Sequence, residues 1–398
     1  MPRAFVFLIN IYLSHNVWRL EHPSLSYSTI RFLATMAATA HAFTKYREMV
    51  EVTTIRALMS LGVFDALSSE GTAISLEELS HKTSANASLL QRLLRVVVST
   101  GMVDFDPGSG TYAHTDISLG YCSGQLPANF FRLMHDEVLK SCVCFPEWIR
   151  HNGRTADPAG PDSHKRCLAT FRDGNDGKTL FDVLSADPER QSNFHAGMKA
   201  MADLHPFQGI YDFSPLTAKA AQDPSRTLFV DVGGGTGTFL ASLMDSHPSL
   251  PTDKLVLQDL PPVIEMAHSN MALPSSITLQ PHDFHTPQPV RGAWTYHIRA
   301  CLHDYGDHNA TAILAHIANA MAPDSTLLIE ENIMPEMPVK DEVIALADVV
   351  MMVCGGRERS EGDWQRLLKN AGLEIRTIHR PHGGKLTWAV IEASLVKQ

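Results

Sequence analysis

The sequence is short of positive charge. Its 398 residues hold 33 Lys plus Arg against 43 Asp plus Glu, a formal net charge of −10. Without a concentrated basic face such a chain repels a phosphate backbone. No Lys/Arg cluster that would build one occurs, so nucleic acid is not an expected partner. Long apolar runs are missing too. Ala4–Leu13, behind Arg3, is too short to span a bilayer. No small-x-small cleavage site follows it, since Ser14, His15 and Asn16 come next. It reads as an extension that packs on a partner subunit or as a disordered tail, and no other stretch approaches transmembrane length. The expectation is a cytoplasmic protein with no membrane partner. The six cysteines (Cys122, Cys142, Cys144, Cys167, Cys301 and Cys354) include no C-x-x-C pair and do not look like a disulfide framework. They read as reduced thiols, with Cys142 and Cys144 as small buried residues rather than metal ligands. What remains, 44% apolar and 19% charged, is an ordinary globular composition in a chain long enough for two or three domains.

After an extension covering residues 1–35, the stretch 36–115 reads as helix, helix, helix, hairpin. Val50, Thr54, Leu58, Leu61 and Phe64 recur at helical spacing, with Gly62 and Gly71 ending the segment. Ser75-Leu-Glu-Glu78 is a capping box. After the polar break at Ser84–Asn86, Leu89, Leu90, Leu93, Leu94 and Val97 mark an amphipathic helix that stops near Gly101. Met102–Phe105 and Thr111–His114, joined by Asp106-Pro-Gly-Ser-Gly110, give the hairpin. The outline is a winged helix. A DNA reader would need basic and amide side chains on the third helix; that helix offers only Arg92 and Arg95 beside its leucines. A dimerisation and pocket-forming module is the better reading.

Residues 116–220 read as mostly helical and rich in aromatic and Met side chains. Most belong to a core, and a subset can face an apolar ligand. Arg154–Lys165, with its Pro, Gly and Asp, reads as a surface loop. Residues 221–398 alternate strand and helix, with strands expected at Thr227–Val232, Lys254–Asp259, Ile277–Gln280, Ala293–Ile298 and Thr326–Glu331. Helix-length segments between them imply a parallel, doubly wound sheet. Two more strands, Glu374–His379 and Leu386–Glu392, are joined by Pro381-His-Gly-Gly384 and should be antiparallel.

Asp231-Val-Gly-Gly-Gly-Thr-Gly237 sits between a strand and a helix. Glycines there let the backbone turn tightly and approach a ligand. Thr238 occupies the third glycine place of a dinucleotide fingerprint, so the pattern is acidic-x-G-x-G-x-G instead. Asp259 ends the next strand, where an acidic side chain can accept hydrogen bonds from ribose hydroxyls. Together these features point to a nucleoside cofactor.

Five motifs then occur in order: Asp231 to Gly237, Gln258-Asp-Leu-Pro261, His282-Asp-Phe284, Arg299-x-x-Leu-His-Asp304, and Gly355-Gly-Arg-Glu-Arg-Ser360. The set resembles the small-molecule O-methyltransferases of the caffeate/flavonoid type, in particular their fungal relatives, over about residues 40 to 395. The last two motifs are specific to that family; the glycine loop is shared by many methyltransferases. The resemblance implies an α/β fold, a class I methyltransferase Rossmann-like sheet, mostly parallel with the last strand antiparallel, behind an N-terminal all-helical winged-helix dimerisation domain. It implies a homodimer, S-adenosyl-L-methionine as cofactor, and an aromatic or polyketide-like hydroxyl acceptor in secondary metabolism. Asp231, Gly233, Gly235 and Gly237 would hold the cofactor with Asp259 on its ribose, Asp283 and Phe284 at its adenine and Arg299 nearby. His303 would be the general base, flanked by Glu331 and Glu358, with Asp304 in the same motif. Phe130, Met134, Met198, Met201, Met351 and Met352 would suit the acceptor. Three positions depart from the family pattern: Tyr305 replaces a Trp, Trp294 stands where an Asp is common, and Trp364 replaces a Phe. They bear on pocket shape more than on the reaction.

The chemistry explains the residue types. A sulfonium methyl is already an activated electrophile, so the enzyme must align donor and acceptor and take a proton from the hydroxyl. A phenol has a pKa of about 10 and an imidazole about 6.5, so complete transfer is uphill by roughly 5 kcal/mol. Two carboxylates beside His303 would raise its pKa and fix its tautomer. No metal is expected; this differs from the methyltransferases that seat catechols on magnesium. The rival reading is an enzyme of the same fold that keeps the cofactor as a structural or electrostatic element for a rearrangement, cyclisation or decarboxylation. A winged-helix DNA-binding regulator is a third.

Overall fold

A computed structural model of the protein describes residues 27–67, 71–175, 177–204, 209–268, 272–338, 342–381 and 388–397. The apolar run Ala4–Leu13 and the turn at 382–384 lie outside the described residues. The chain divides into two compact units, Met1–His135 and Asp136–Gln398.

In the first unit a 34-residue helix, Tyr27–Ser60, is followed by Gly62 at φ 68° and a short helix, Val63–Ala66. Strand β1 (Ile74–Ser75) leads into helix Leu76–Thr83, whose capping box is formed as expected: the Ser75 side chain accepts from the Glu78 amide and the Glu78 carboxylate from the Ser75 amide. Asn86 caps helix Ala87–Ser99. The hairpin is β2 (Val103–Asp106) and β3 (Thr111–His114), and β1 joins it in an antiparallel sheet of order β1-β3-β2. Leu58, Leu79, Leu90, Leu94 and Val97 are buried in the core, whereas Leu89 of the leucine face is 46% exposed.

The second unit begins with helices, among them Phe145–Asn152, Leu168–Arg172, Pro188–Leu204 and Pro215–Gln222. The sheet follows: β4 (Phe229–Val232), β5 (Leu255–Asp259), β6 (Thr278–Pro281), β7 (Thr295–Arg299), β8 (Thr326–Met334), the short β9 (Arg359–Ser360), β10 (Leu373–His379) and β11 (Trp388–Leu395). The order β10-β11-β8-β7-β4-β5-β6, with β9 alongside β8, runs parallel except for β11, which is antiparallel to both neighbours. Chain order reverses direction at β4, which places the carboxyl ends of β4, β5, β7 and β8 around one crevice. β4 is buried throughout and β7 up to Arg299, as expected of a sheet covered on both faces, and separate apolar cores pack on its two sides.

Two expectations need correction. No helix separates β6 from β7 among the described residues. Pro281, Pro287 and Pro289 lack the amides that a helix there would use. Nor is 154–165 merely a surface loop: Ser163 is buried and donates its hydroxyl hydrogen bond to the Gly355 carbonyl at 2.5 Å. A Cβ on Gly306 would stand 1.9 Å from the Ala159 carbonyl, so this glycine is what allows the segment to lie so close. Among the described residues no helix is long and apolar enough to cross a membrane.

Candidate active site

The glycine loop leaves β4 at Asp231 and Val232 and opens helix Thr238–Ser246. Gly233 has φ 68°, and a Cβ there would meet Cys301 Sγ at 2.9 Å and the Phe284 ring at 3.2 Å. Only glycine suits that position. Asp259, at the end of β5, accepts the Gly235 and Leu260 amides, each at 2.8 Å. Burial raises its carboxyl to about 6 against those bonds. Each oxygen keeps lone-pair capacity for a further donor. Asp283 is exposed and accepts the His285 amide at 3.0 Å. Phe284 lies edge-on to Tyr305 at 5.9 Å.

The structure thus brings Phe284 against Gly233 and Asp259 against Gly235 of the same loop. Asp231 is different: its Oδ1 is 2.8 Å from His297 Nδ1, and its Oδ2 is buried with no hydrogen-bond partner among the described residues. Arg299 ion-pairs with Glu330 at 3.1 Å. A spare buried carboxylate oxygen, a second carboxylate with acceptor capacity and a close-approach glycine turn fit a ligand that carries hydroxyls and a positive charge.

After β7 the chain makes an unusual turn. Ala300 is left-handed (φ 48°), and a 3-10 turn, Leu302–Asp304, carries His303. Glu331, from β8, accepts the backbone N–H groups of Cys301, Leu302 and His303 on Oε1 at 3.1, 2.9 and 3.3 Å. Its Oε2 lies 3.2 Å from His303 Nδ1. Glu358 approaches the same nitrogen, with Oε1 at 3.1 Å. Asn332 donates to that oxygen at 3.1 Å, and Asp348 accepts the Glu358 amide at 2.9 Å. The two glutamates are fully buried or nearly so, and His303 is 9% exposed.

Burial alone would push the His303 imidazole down, but Glu331 and then Glu358 outweigh it and raise it to about 10. Burial raises Glu331 to about 7, against the pull of His303. For Glu358 the imidazole outweighs burial and the carboxyl lies below its ordinary value. Nδ1 therefore carries the proton and donates its hydrogen bond to Glu358 Oε1, with Glu331 Oε2 beside it but making no hydrogen bond of its own. Nε2 faces away from them, and the acid nearest to it is Asp304, at 3.8 Å. An imidazole so held can accept a proton at Nε2. The same three side chains offer ligand atoms within 4.8 Å of one another, so a divalent cation would compete with the Nδ1 proton.

Residues beyond the sequence reading complete the site. Arg359 is fully buried and donates to Asp307 Oδ1 at 2.9 Å, to the Leu302 carbonyl at 2.9 Å and to the Tyr305 carbonyl at 2.7 Å. It ties down both ends of the turn that carries the base. A Cβ on Gly356 would stand 1.9 Å from the His303 carbonyl, which instead accepts the Arg357 amide at 2.8 Å. Arg359 and Gly356 lie inside a recognised motif, which was the available signal; His297, Glu330 and Asp348 had none. Of the departures, Tyr305 packs its ring against Phe284 and His285, Trp294 lies under the Arg226 guanidinium at 3.7 Å, and Trp364 is core. Met351 and Met352 are half-buried at the end of helix Glu342–Met351, and Met198 is 36% exposed.

Comparison with known proteins agrees with this geometry. The family model described as an O-methyltransferase domain matches residues 166–374, and that of an O-methyltransferase dimerisation domain matches residues 47–123. The methyltransferase fsa4 of Fusarium sp. (strain FN080326) is 33% identical, with 84% of this chain and 90% of that protein covered. The crystal structure of OxaC in complex with sinefungin and meleagrin superposes with a TM-score of 0.81 at 26% identity, covering 99% of each chain. A structure described as a pericyclic reaction enzyme gives 0.75 at 27% identity, covering 96% of this chain and 93% of that one.

Proposed function

Because the chain belongs to the S-adenosylmethionine-dependent O-methyltransferase family, we propose that its acceptor is an ionisable hydroxyl of an aromatic or polyketide-like small molecule of secondary metabolism, and that His303 removes the hydroxyl proton. When bound, the cofactor supplies an electrophilic methyl carbon on a sulfonium. The glycine loop from Gly233 through Gly235 to Gly237 would hold it, with Asp231, Asp259, Asp283, Phe284 and Arg299 around it. Residues 221–398 form the cofactor-binding domain on this reading, and 116–220 contribute to the acceptor site.

One observation carries the proposal: a single imidazole nitrogen is shared by two buried carboxylates at 3.1 and 3.2 Å. The pair does three things. It fixes the tautomer with the proton on Nδ1, it leaves Nε2 for the hydroxyl, and it brings the base to about 10. A phenol sits at about 10 as well. Transfer from the hydroxyl to the neutral imidazole is thereby less uphill than for an ordinary imidazole, and proton removal can accompany methyl transfer. Asp304, beside Nε2, bounds the place where the acceptor oxygen must sit. No step here needs a metal.

The pericyclic-enzyme neighbour keeps a second reading in view, in which the same fold carries out a rearrangement. The intact His303, Glu331 and Glu358 set favours methyl transfer. The deciding experiment incubates the protein with isotopically labelled cofactor and a panel of phenols and enolised polyketides, read by mass spectrometry and by NMR for the methylated atom. Labelled methyl ethers supports the proposal. Conversion of an acceptor with no S-adenosylhomocysteine formed would overturn it.

We infer further that the protein is a homodimer through its N-terminal unit. The dimerisation-domain match supports this, as do Phe32, Phe43, Tyr46 and Met49 on helix Tyr27–Ser60, all more than half exposed. A monomeric mass by light scattering at micromolar concentration would contradict it.

A further inference from the structure

A second buried polar set lies under the glycine loop and takes no part in the base chemistry. Asp231, His297 and Glu330 stand on three neighbouring strands, β4, β7 and β8, and are 1%, 0% and 0% exposed. His297 Nδ1 is 2.8 Å from Asp231 Oδ1, and its Nε2 is 3.4 Å from Glu330 Oε2. Glu330 Oε1 accepts the Trp388 indole N–H at 2.7 Å and faces Arg299 Nε at 3.1 Å. Phe239 stacks on the imidazole with ring centres 4.0 Å apart. Charged groups at the dry centre of a sheet are costly unless each is paired, and apolar side chains of similar volume would fill the space without that cost.

The Asp231 end of this row shows what the charge can serve. Its Oδ2 is the buried oxygen without a hydrogen-bond partner among the described residues. It lies directly beneath the loop, since a Cβ on Gly234 would stand 2.4 Å from it. A ring nitrogen held on one carboxylate oxygen fixes the direction in which the other points, and the 2.8 Å contact of His297 Nδ1 with Asp231 Oδ1 does this for Oδ2. His297 is suited to the task. Burial pushes it down, but its bonds to Asp231 and Glu330 outweigh burial and hold it above its ordinary value.

We propose that His297 and Glu330 are positioning residues for cofactor binding: they orient Asp231 so that its unpartnered Oδ2 receives a positively charged group of S-adenosylmethionine, the α-ammonium or the sulfonium. The row spans the sheet laterally. On β8 it uses Glu330, while the next residue, Glu331, points to the opposite face and serves the base. One strand thus supports both halves of the reaction. The inference rests on the methyltransferase reading and goes beyond it by giving two residues outside the loop a role in cofactor affinity.

The test is calorimetric titration of the full-length protein with S-adenosylmethionine and with S-adenosylhomocysteine, beside melting curves of the ligand-free variants. Binding of neither by the wild type would sink the methyltransferase reading itself. Given wild-type binding, His297→Phe fills the space without a donor and should weaken S-adenosylmethionine by roughly tenfold or more. His297→Asn keeps a donor near the Nδ1 position and should recover part of that loss. Equal weakening of both ligands assigns Oδ2 to the ammonium, which both carry; weakening of S-adenosylmethionine alone assigns it to the sulfonium. If His297→Phe does not fold, the near-isosteric Glu330→Gln takes its place, with an expected loss of roughly threefold. Wild-type affinity in the folded Phe variant (or in the Gln variant in its stead), or an Asn variant no better than Phe, overturns the proposal.

Discussion

Nδ1 of His303 lies 3.1 Å from Oε1 of Glu358, and that contact decides which nitrogen of the ring is available to an acceptor. Glu331 reaches the same atom at 3.2 Å. Two acids on one nitrogen leave the other uncommitted to either. Because the acids come from β8 and from the segment before β9, the base is assembled only when the sheet and the 355–358 segment are both in place.

The pH dependence follows from the sign of the shift. His303 is raised to about 10, so near neutral pH the imidazole keeps its proton and the basic form is the minority. kcat/KM should therefore climb from neutral pH, reach half its plateau near pH 10 and level off only above it. The limb reports the titration of the His303, Glu331 and Glu358 set as a whole. Glu358→Gln removes one anion, so the limb should move to lower pH while its plateau falls by about 10²-fold. A limb that stays in place or moves upward in this variant contradicts the arrangement.

Glu331 has separable roles. Glu331→Gln keeps a carbonyl oxygen for the amides of Cys301, Leu302 and His303 but removes the charge. Its melting temperature should stay near wild type while kcat falls by about 10²-fold. Glu331→Ala strands those three amides and should also cost about 3 kcal/mol of stability. Denaturant melts of both variants, with kinetics, check the pair; equal stability loss would show that the amide bonds carry no weight.

Arg359 acts on the base through backbone. Arg359→Lys cannot satisfy Asp307, Leu302 O and Tyr305 O together. The expected result is a loss of about 3 kcal/mol in stability and roughly tenfold in kcat, with little change in cofactor affinity. Steady-state kinetics beside equilibrium cofactor binding separates these; a loss of affinity larger than that of kcat would place Arg359 elsewhere in the mechanism.

Features that depend on local backbone chemistry were legible in the sequence. The turn at Gly233 needs a positive φ and no Cβ, and Ser75 with Glu78 caps a helix whatever surrounds it. His303, Glu331 and Glu358 were legible through motif resemblance, because the sequence separation of 55 residues between His303 and Glu358 carries no distance. The row from Asp231 to His297 to Glu330 was not legible. It depends on β4, β7 and β8 lying side by side, and no local spacing states the lateral order of strands. The sequence therefore offered Asp231 as a cofactor contact without showing that His297 holds its other oxygen. Arg359 was visible as a letter in a motif, but its partners lie more than fifty residues away. The stretch 154–165 read as exposed from its Pro and Gly content; the missing Cβ atoms of Gly306 and Gly355 let it pack instead.

The most direct measurement is His303→Ala, assayed for S-adenosylhomocysteine formation with an accepted substrate beside calorimetric binding of S-adenosylmethionine. Cofactor affinity within about twofold of wild type, with turnover lower by 10²-fold or more, is the expected result. Near-normal turnover with the cofactor bound would remove His303 from the reaction and, with it, the role given to Glu331 and Glu358.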